Sequence, residues 1–121
     1  MSLIEVQTEG GRTAFEPGES ITGSASWDLP GPPSSLDVCL IWIAKGAGTQ
    51  ESGVGARVAI DAPQSRDRRN FELPAPDGPY SYAGRLLSIV WSVEVQAEPG
   101  GRSGRAELVI APGGQPLLPP R

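Results

Sequence analysis

The chain has no histidine at all, one cysteine (Cys39) and one methionine in 121 residues. Histidine is the commonest general base and metal ligand near neutral pH, so neither a Ser-His-Asp nor a Cys-His site can be built within one chain. A single cysteine allows no intrachain disulfide, and without histidine it cannot complete a zinc set. Cys39 falls in mid-strand sequence with no flanking base, which makes it structural filler rather than a nucleophile. Basic residues are the minority charge, 10 against 14 acids, for a net charge of −4. Nonspecific nucleic-acid binding needs the opposite balance. No apolar run approaches the ~20 residues that span a bilayer. The opening "MSLIEVQTEGG" has no basic region followed by a long apolar one, the pattern of a secretory leader. These absences together predict a cytoplasmic protein with no transmembrane segment, no nucleic-acid partner, no metal, no cofactor and no catalytic residue.

What the chain has in quantity is punctuation. Its 16 glycines and 13 prolines fall between apolar runs rather than through them, and hydrophobic residues still make up 38%. A disordered chain combines low hydrophobicity with high net charge, so these residues read as turns. Leu3–Gln7 is a first short strand. Ile21, Gly23, Ala25 and Trp27 alternate with Ser20, Thr22, Ser24 and Ser26, a strand with one polar face and small residues that leave room for a bulky neighbour. In "LDVCLIWIA" (36–44), Leu36, Val38, Leu40 and Trp42 form one face, and Asp37, Cys39, Ile41 and Ile43 the other. "KGAGTQESGVG" (45–55) reads as a flexible loop. It has four glycines but no GK[ST] ending and no following helix to bind phosphate. Val58 and Ile60, then Phe71 and Leu73, then Leu87, Ile89, Trp91, Val93 and Val95, then Ala106, Leu108 and Ile110 supply four more alternating segments. About seven strands spaced by turn signals, with no helical period, predict an all-β fold: an immunoglobulin-like antiparallel β-sandwich over 1–111. The Pro/Gly-rich segment 112–121 is expected to be a disordered tail.

Two motifs carry a family resemblance. "Phe15-Glu-Pro17-Gly18-Glu19-Ser-Ile21-Thr-Gly23" resembles the aromatic-x-Pro-Gly-Glu-x-(Val/Ile)-x-Gly segment of arrestin-like domains. "Phe71-Glu-Leu73-Pro74", followed by "Pro79-Tyr-Ser81-Tyr82-Ala-Gly84" and the strand through Trp91, resembles the same family's later Phe-x-Leu-Pro and Pro-x-Ser-Tyr-x-Gly segments. The order and spacing resemble the N-terminal lobe of an arrestin-type molecule. The resemblance implies an arrestin-like sandwich and a non-enzymatic interaction or scaffolding role. The family's members have two such lobes, whereas this sequence holds one. The buried charged cluster of true arrestins has no residue-by-residue counterpart here, so phosphate-triggered activation does not carry over.

Candidate contact residues follow from exposure patterns. Arg66, Arg68 and Arg69 in "RDRRN" could dock an acidic or phosphorylated partner through arginine's forked donors; the plainer reading is a solvated loop or edge strand. Tyr80 and Tyr82, with Trp27, would form the aromatic platform of a carbohydrate- or small-ligand-binding module, the alternative function. Ile41, Ile43 and Val90, apolar on the face away from the core, point to a second buried surface, covered by a protein partner or by a second copy in a homodimer. "PLLPPR" (116–121) fits a polyproline ligand pattern, but such matches are frequent by chance in Pro-rich segments, and a plain disordered end or a linker is the preferred reading. Glu16 and Glu19 flank the Pro17-Gly18 turn and are expected to be solvated.

Overall fold

A computed structural model describes residues 3–46 and 48–118. In chain order the strands are β1 (Leu3–Thr8), β2 (Ala14–Phe15), β3 (Ser20–Asp28), β4 (Ser35–Gly46), β5 (Thr49–Ala59), β6 (Arg66–Pro74), β7 (Tyr82–Ala83), β8 (Leu87–Glu98) and β9 (Arg102–Ile110). Short 3-10 turns occupy Glu9–Gly11 and Pro112–Gly114. The seven longer strands correspond to the seven expected; β2 and β7 are two-residue additions that close one end. The molecule is an all-β sandwich. A small sheet runs β1-β3-β6, and a large one runs β2-β9-β8-β4-β5, with β7 paired to β8 in line with β9.

The alternation seen in the sequence sets the core. Ile21, Ala25 and Trp27 of β3 face Leu36, Val38 and Leu40 of β4 and Trp91, Val93 and Val95 of β8, all buried. Each large aliphatic or aromatic side chain so buried contributes roughly 1.5–3 kcal/mol. The small residues of β3 do make room. A Cβ on Gly23 would strike the Gln7 carbonyl of β1 and the Phe71 ring of β6, so Phe71 packs where β3 lacks a side chain. Along the other margin β9 passes close under β1, where Gly104 lies against the Ile4 carbonyl.

One expectation is overturned. The stretch 45–55 is not a flexible loop: β4 ends at Gly46 and β5 begins at Thr49, forming a long hairpin. Its glycines are there for packing. Across four strands run Gly53, Trp42, Trp91 and Leu108 in register. A Cβ at Gly53 would sit 2.6 Å from Trp42 Nε1, and one at Gly55 would sit 2.8 Å from the Trp91 ring. Two indoles thus occupy the space that β5 leaves empty, and a register shift opposite Leu40 and Ile41 absorbs the extra residue. Strand β6 likewise starts earlier than Phe71, taking in all of "RDRRN" as a sheet edge.

Of the segment read from sequence as a disordered tail, residues 112–114 form a turn held to Glu16, and Leu117 pairs beside β7. Leu117 N–H donates to the Ser81 carbonyl, and Ala83 N–H donates to the Leu117 carbonyl. Residues 119–121 lie outside the described residues, and with them the end of the polyproline pattern.

Candidate functional site

The family-like motifs come together at one end of the sandwich, and each is occupied in holding that end closed. Pro17 and Gly18 (φ +84°) make the turn before β3, a backbone conformation that suits glycine. Glu19 ties the turn: its carboxylate accepts from Glu16 N–H at 2.9 Å and from Arg12 Nη2 at 2.7 Å. The Arg12 guanidinium lies 4.5 Å from the centre of the Phe15 ring. Held first by Arg12 and then by the Glu16 amide, Glu19 is pulled down from the ordinary 4.5 to about 2. Glu16 accepts from Gly113 N–H at 3.0 Å. Both acids are scaffold rather than free.

The second motif meets the first directly. Ser20 pairs with Pro74 and Ile21 with Leu73, while Gly18 N–H donates to the Ala75 carbonyl and Ala75 N–H to that of Glu19. The Pro-Tyr-Ser-Tyr stretch then crosses to the large sheet. Trp91 Nε1 donates to the Pro79 carbonyl at 2.6 Å. Ser81, buried, accepts from Ile110 N–H through its Oγ at 2.9 Å and donates its own N–H to the Ile110 carbonyl. Gly84 fits against the Tyr82 ring, which takes the place of a Cβ. These residues bind the fold to itself.

The candidate contact residues are dispersed. Arg66 and Arg68 point outward from β6, with Arg68 Nη2 on Ser24 Oγ at 3.2 Å. Arg69 points to the other side and is committed to its own chain. It donates to Asp67 at 2.9 Å, to the Asp61 carbonyl at 3.0 Å and to that of Ala62 at 3.3 Å. The three arginines therefore do not form one patch. Tyr80 donates its hydroxyl to Asp77 at 2.7 Å, a bond that pushes its pKa up, while Tyr82 lies on β7 opposite Ile89. Trp27 is in the core, its Nε1 donating to the Gln64 carbonyl. No platform of these three rings forms.

On the outer face of the small sheet a polar hollow of about 700 Å³ runs over Thr22, Gly23 and Ser24, with Glu9 and Glu72 among its walls. Two bonds cross it: Thr22 Oγ1 donates to Glu9 at 2.7 Å, besides the Arg68–Ser24 bond. A sugar ring would find no exposed aromatic there, since Trp27 and Phe71 are buried.

The outer face of the large sheet is different. Ile41 and Ile43 of β4 both point away from the core, and Val90 of β8 lies directly opposite Ile43. Val54 of β5, 54% exposed, lies opposite Ile41. Four aliphatic side chains from three adjacent strands thus form one outward patch, grading at its far end into Asp37, Arg57, Glu94 and Arg105. The sequence reading had three of the four. Val54 falls within 45–55, where the glycines read as turn and no alternation of apolar with polar residues marks a strand.

No family model and no curated protein matches the chain. Among solved structures, Spo0M, a sporulation control protein from Bacillus subtilis with an arrestin-like fold, superposes with a TM-score of 0.68 at 14% identity, over 91% of this chain. The chain spans about half of Spo0M, 49% of its length. The likeness is one of fold, and it agrees with the arrestin-like sandwich that the two motifs implied. Among the described residues no helix is long and apolar enough to cross a membrane.

Proposed function

We propose that this chain is a non-enzymatic, cytoplasmic protein-interaction module of arrestin-like type, and that its contact surface is the outer face of the large sheet. The observation that carries the reading is the outward patch of Val54, 54% exposed, with the part-exposed Ile41, Ile43 and Val90 beside it. Aliphatic side chains displayed together on a strand face are the usual makings of a protein contact. The size is adequate. Four long strands spaced ~4.8 Å apart and about 11 residues long present roughly 700 Å², near the ~800 Å² that each partner of a standard interface buries.

A second copy of this chain is the first partner to test, because the neighbouring fold has about twice its length and a homodimer would supply a second lobe. Light scattering across a concentration series should give a dimer mass, and Ile43→Asp should return the monomer, since it would bury an unpaired charge in the contact. A monodisperse monomer of the unaltered chain at high micromolar concentration would remove self-association. The carbohydrate-binding alternative loses the third of its three rings, because Trp27 is in the core.

A further inference from the structure

At the end of the large sheet away from that charged region, two short segments bring leucines to one rim. The turn from β7 to β8, closed by Gly84 N–H on the Leu87 carbonyl, carries Leu86, 81% exposed, and Leu87, 43% exposed. Beside it, Leu117 is held to β7 through Ser81 and Ala83. That segment runs parallel to β7, which brings Leu118, 72% exposed, level with Ala83. Across β8, Gly46 lies opposite Leu87 and Lys45 opposite Ser88. Arg85 and Lys45 are both exposed.

The charge on this rim runs against that of the molecule. The chain as a whole has 14 acids to 10 bases. The segments 45–50, 84–88 and 115–118 contain Lys45 and Arg85 and no Asp or Glu. Glu51, next along β5, pairs with Ala44 and so lies on the opposite face from Lys45. Aliphatic residues at a loop tip, flanked by cations, combine the two terms that hold proteins at an anionic bilayer surface.

We propose that this rim is a membrane-surface contact, with Leu86 and Leu118 entering the acyl boundary and Arg85 and Lys45 meeting the headgroups of anionic lipid. A second copy is the poorer occupant, because a two-fold contact through the rim would set Arg85 and Lys45 beside their own equivalents. A peptide groove is also the poorer fit, because Leu86 projects from a turn with little of its surface against protein, as a lipid-immersed side chain would. The inference goes beyond the interaction reading: Lys45 shares the outer face with Ile43, two residues along β4, but the leucines lie at the end of the sheet, so Ile43→Asp tests the one reading and the double leucine variant the other.

The test is sedimentation of the full chain with vesicles of phosphatidylcholine alone or mixed with phosphatidylserine. Binding is expected on the mixed vesicles only, weakening as salt is raised. Leu86→Ser with Leu118→Ser, both at exposed positions, should weaken partitioning by about tenfold or more, with the circular dichroism spectrum unchanged. Arg85→Gln should cost about fivefold on the mixed vesicles. No binding to either vesicle, or binding that the double leucine variant leaves intact, overturns the proposal. So does a soluble dimer that the double variant abolishes, since the rim would then be occupied by a second copy.

Discussion

Ser81→Ala isolates one buried hydrogen bond and tests whether the Pro-Tyr-Ser-Tyr segment closes the sandwich. Ser81 is 2% exposed and Ile110 is not exposed at all. The main-chain bonds from Ser81 N–H to the Ile110 carbonyl and from Leu117 N–H to the Ser81 carbonyl are both 2.8 Å, and the substitution leaves them in place. What disappears is the acceptor for Ile110 N–H. The flanking amides, Val109 and Ala111, are taken by Thr13 and Phe15 on the other side, so β2 offers the Ile110 amide no replacement. A buried amide without a partner costs about 1–3 kcal/mol, and the void left by one oxygen is too small for a compensating water. For a domain of this size each kcal/mol lowers Tm by roughly 3–6 °C. Urea unfolding followed by tryptophan fluorescence should show a lower midpoint with an unchanged slope, and the Ile110 amide should exchange faster with solvent. A variant within ~0.5 kcal/mol of the unaltered chain, the range of ordinary surface substitutions, would refute the claim that this bond closes the end.

Two further predictions rest on other parts of the fold. Gly53→Ala should destabilise by about 1–3 kcal/mol, the usual cost of overpacking, and should change the near-ultraviolet circular dichroism, because Trp42 must move; an unchanged spectrum with unchanged stability would show that the glycine is not there for the indole. Glu19 has a depressed pKa when folded, so its contribution is complete above about 4.5 and is lost as pH falls through about 2. Thermal melts of Glu19→Gln across that window should therefore show a flatter loss of stability than the unaltered chain, and parallel profiles would contradict the assigned role of Arg12.

The sandwich was legible because its core strands keep period two without interruption. Leu36, Val38 and Leu40, and Trp91, Val93 and Val95, occupy the inner faces that alternation assigns them. The hairpin at 45–55 was illegible for a physical reason: glycine marks both turns and places where a strand must lie under a large ring. The indoles that fill the space belong to Trp42 and Trp91, one on the partner strand and one a strand further, so nothing local in "ESGVG" discloses them. The arginines of "RDRRN" show the same limit. Alternation puts Arg68 and Arg69 on opposite faces of β6, but only the bend of the preceding loop brings the Asp61 and Ala62 carbonyls to Arg69. The rim leucines lay in segments read as turn and tail, where an apolar residue has no period to betray its direction.

The division of labour among these residues bears on where function can sit. Arg12, Glu19, Ser81 and Trp91 each have their polar atoms taken by the fold, and Phe15, Ile21 and Leu73 are buried. A residue so engaged has little left to offer a partner, because recruiting it would first break an internal bond. The motifs that resemble arrestin-like domains therefore specify the closed end of a sandwich and say nothing of what the sandwich meets. Side chains that the fold leaves outward are the ones free to be chosen for contact: Val54, with the part-exposed Ile41, Ile43 and Val90, on one face, and Leu86, Leu118, Arg85 and Lys45 on the rim. Replacing a residue of the first kind should lower stability wherever its partner is buried. Replacing an exposed residue of the second kind, Val54, Leu86, Leu118, Arg85 or Lys45, should leave unfolding within ~0.5 kcal/mol of the unaltered chain and change association alone.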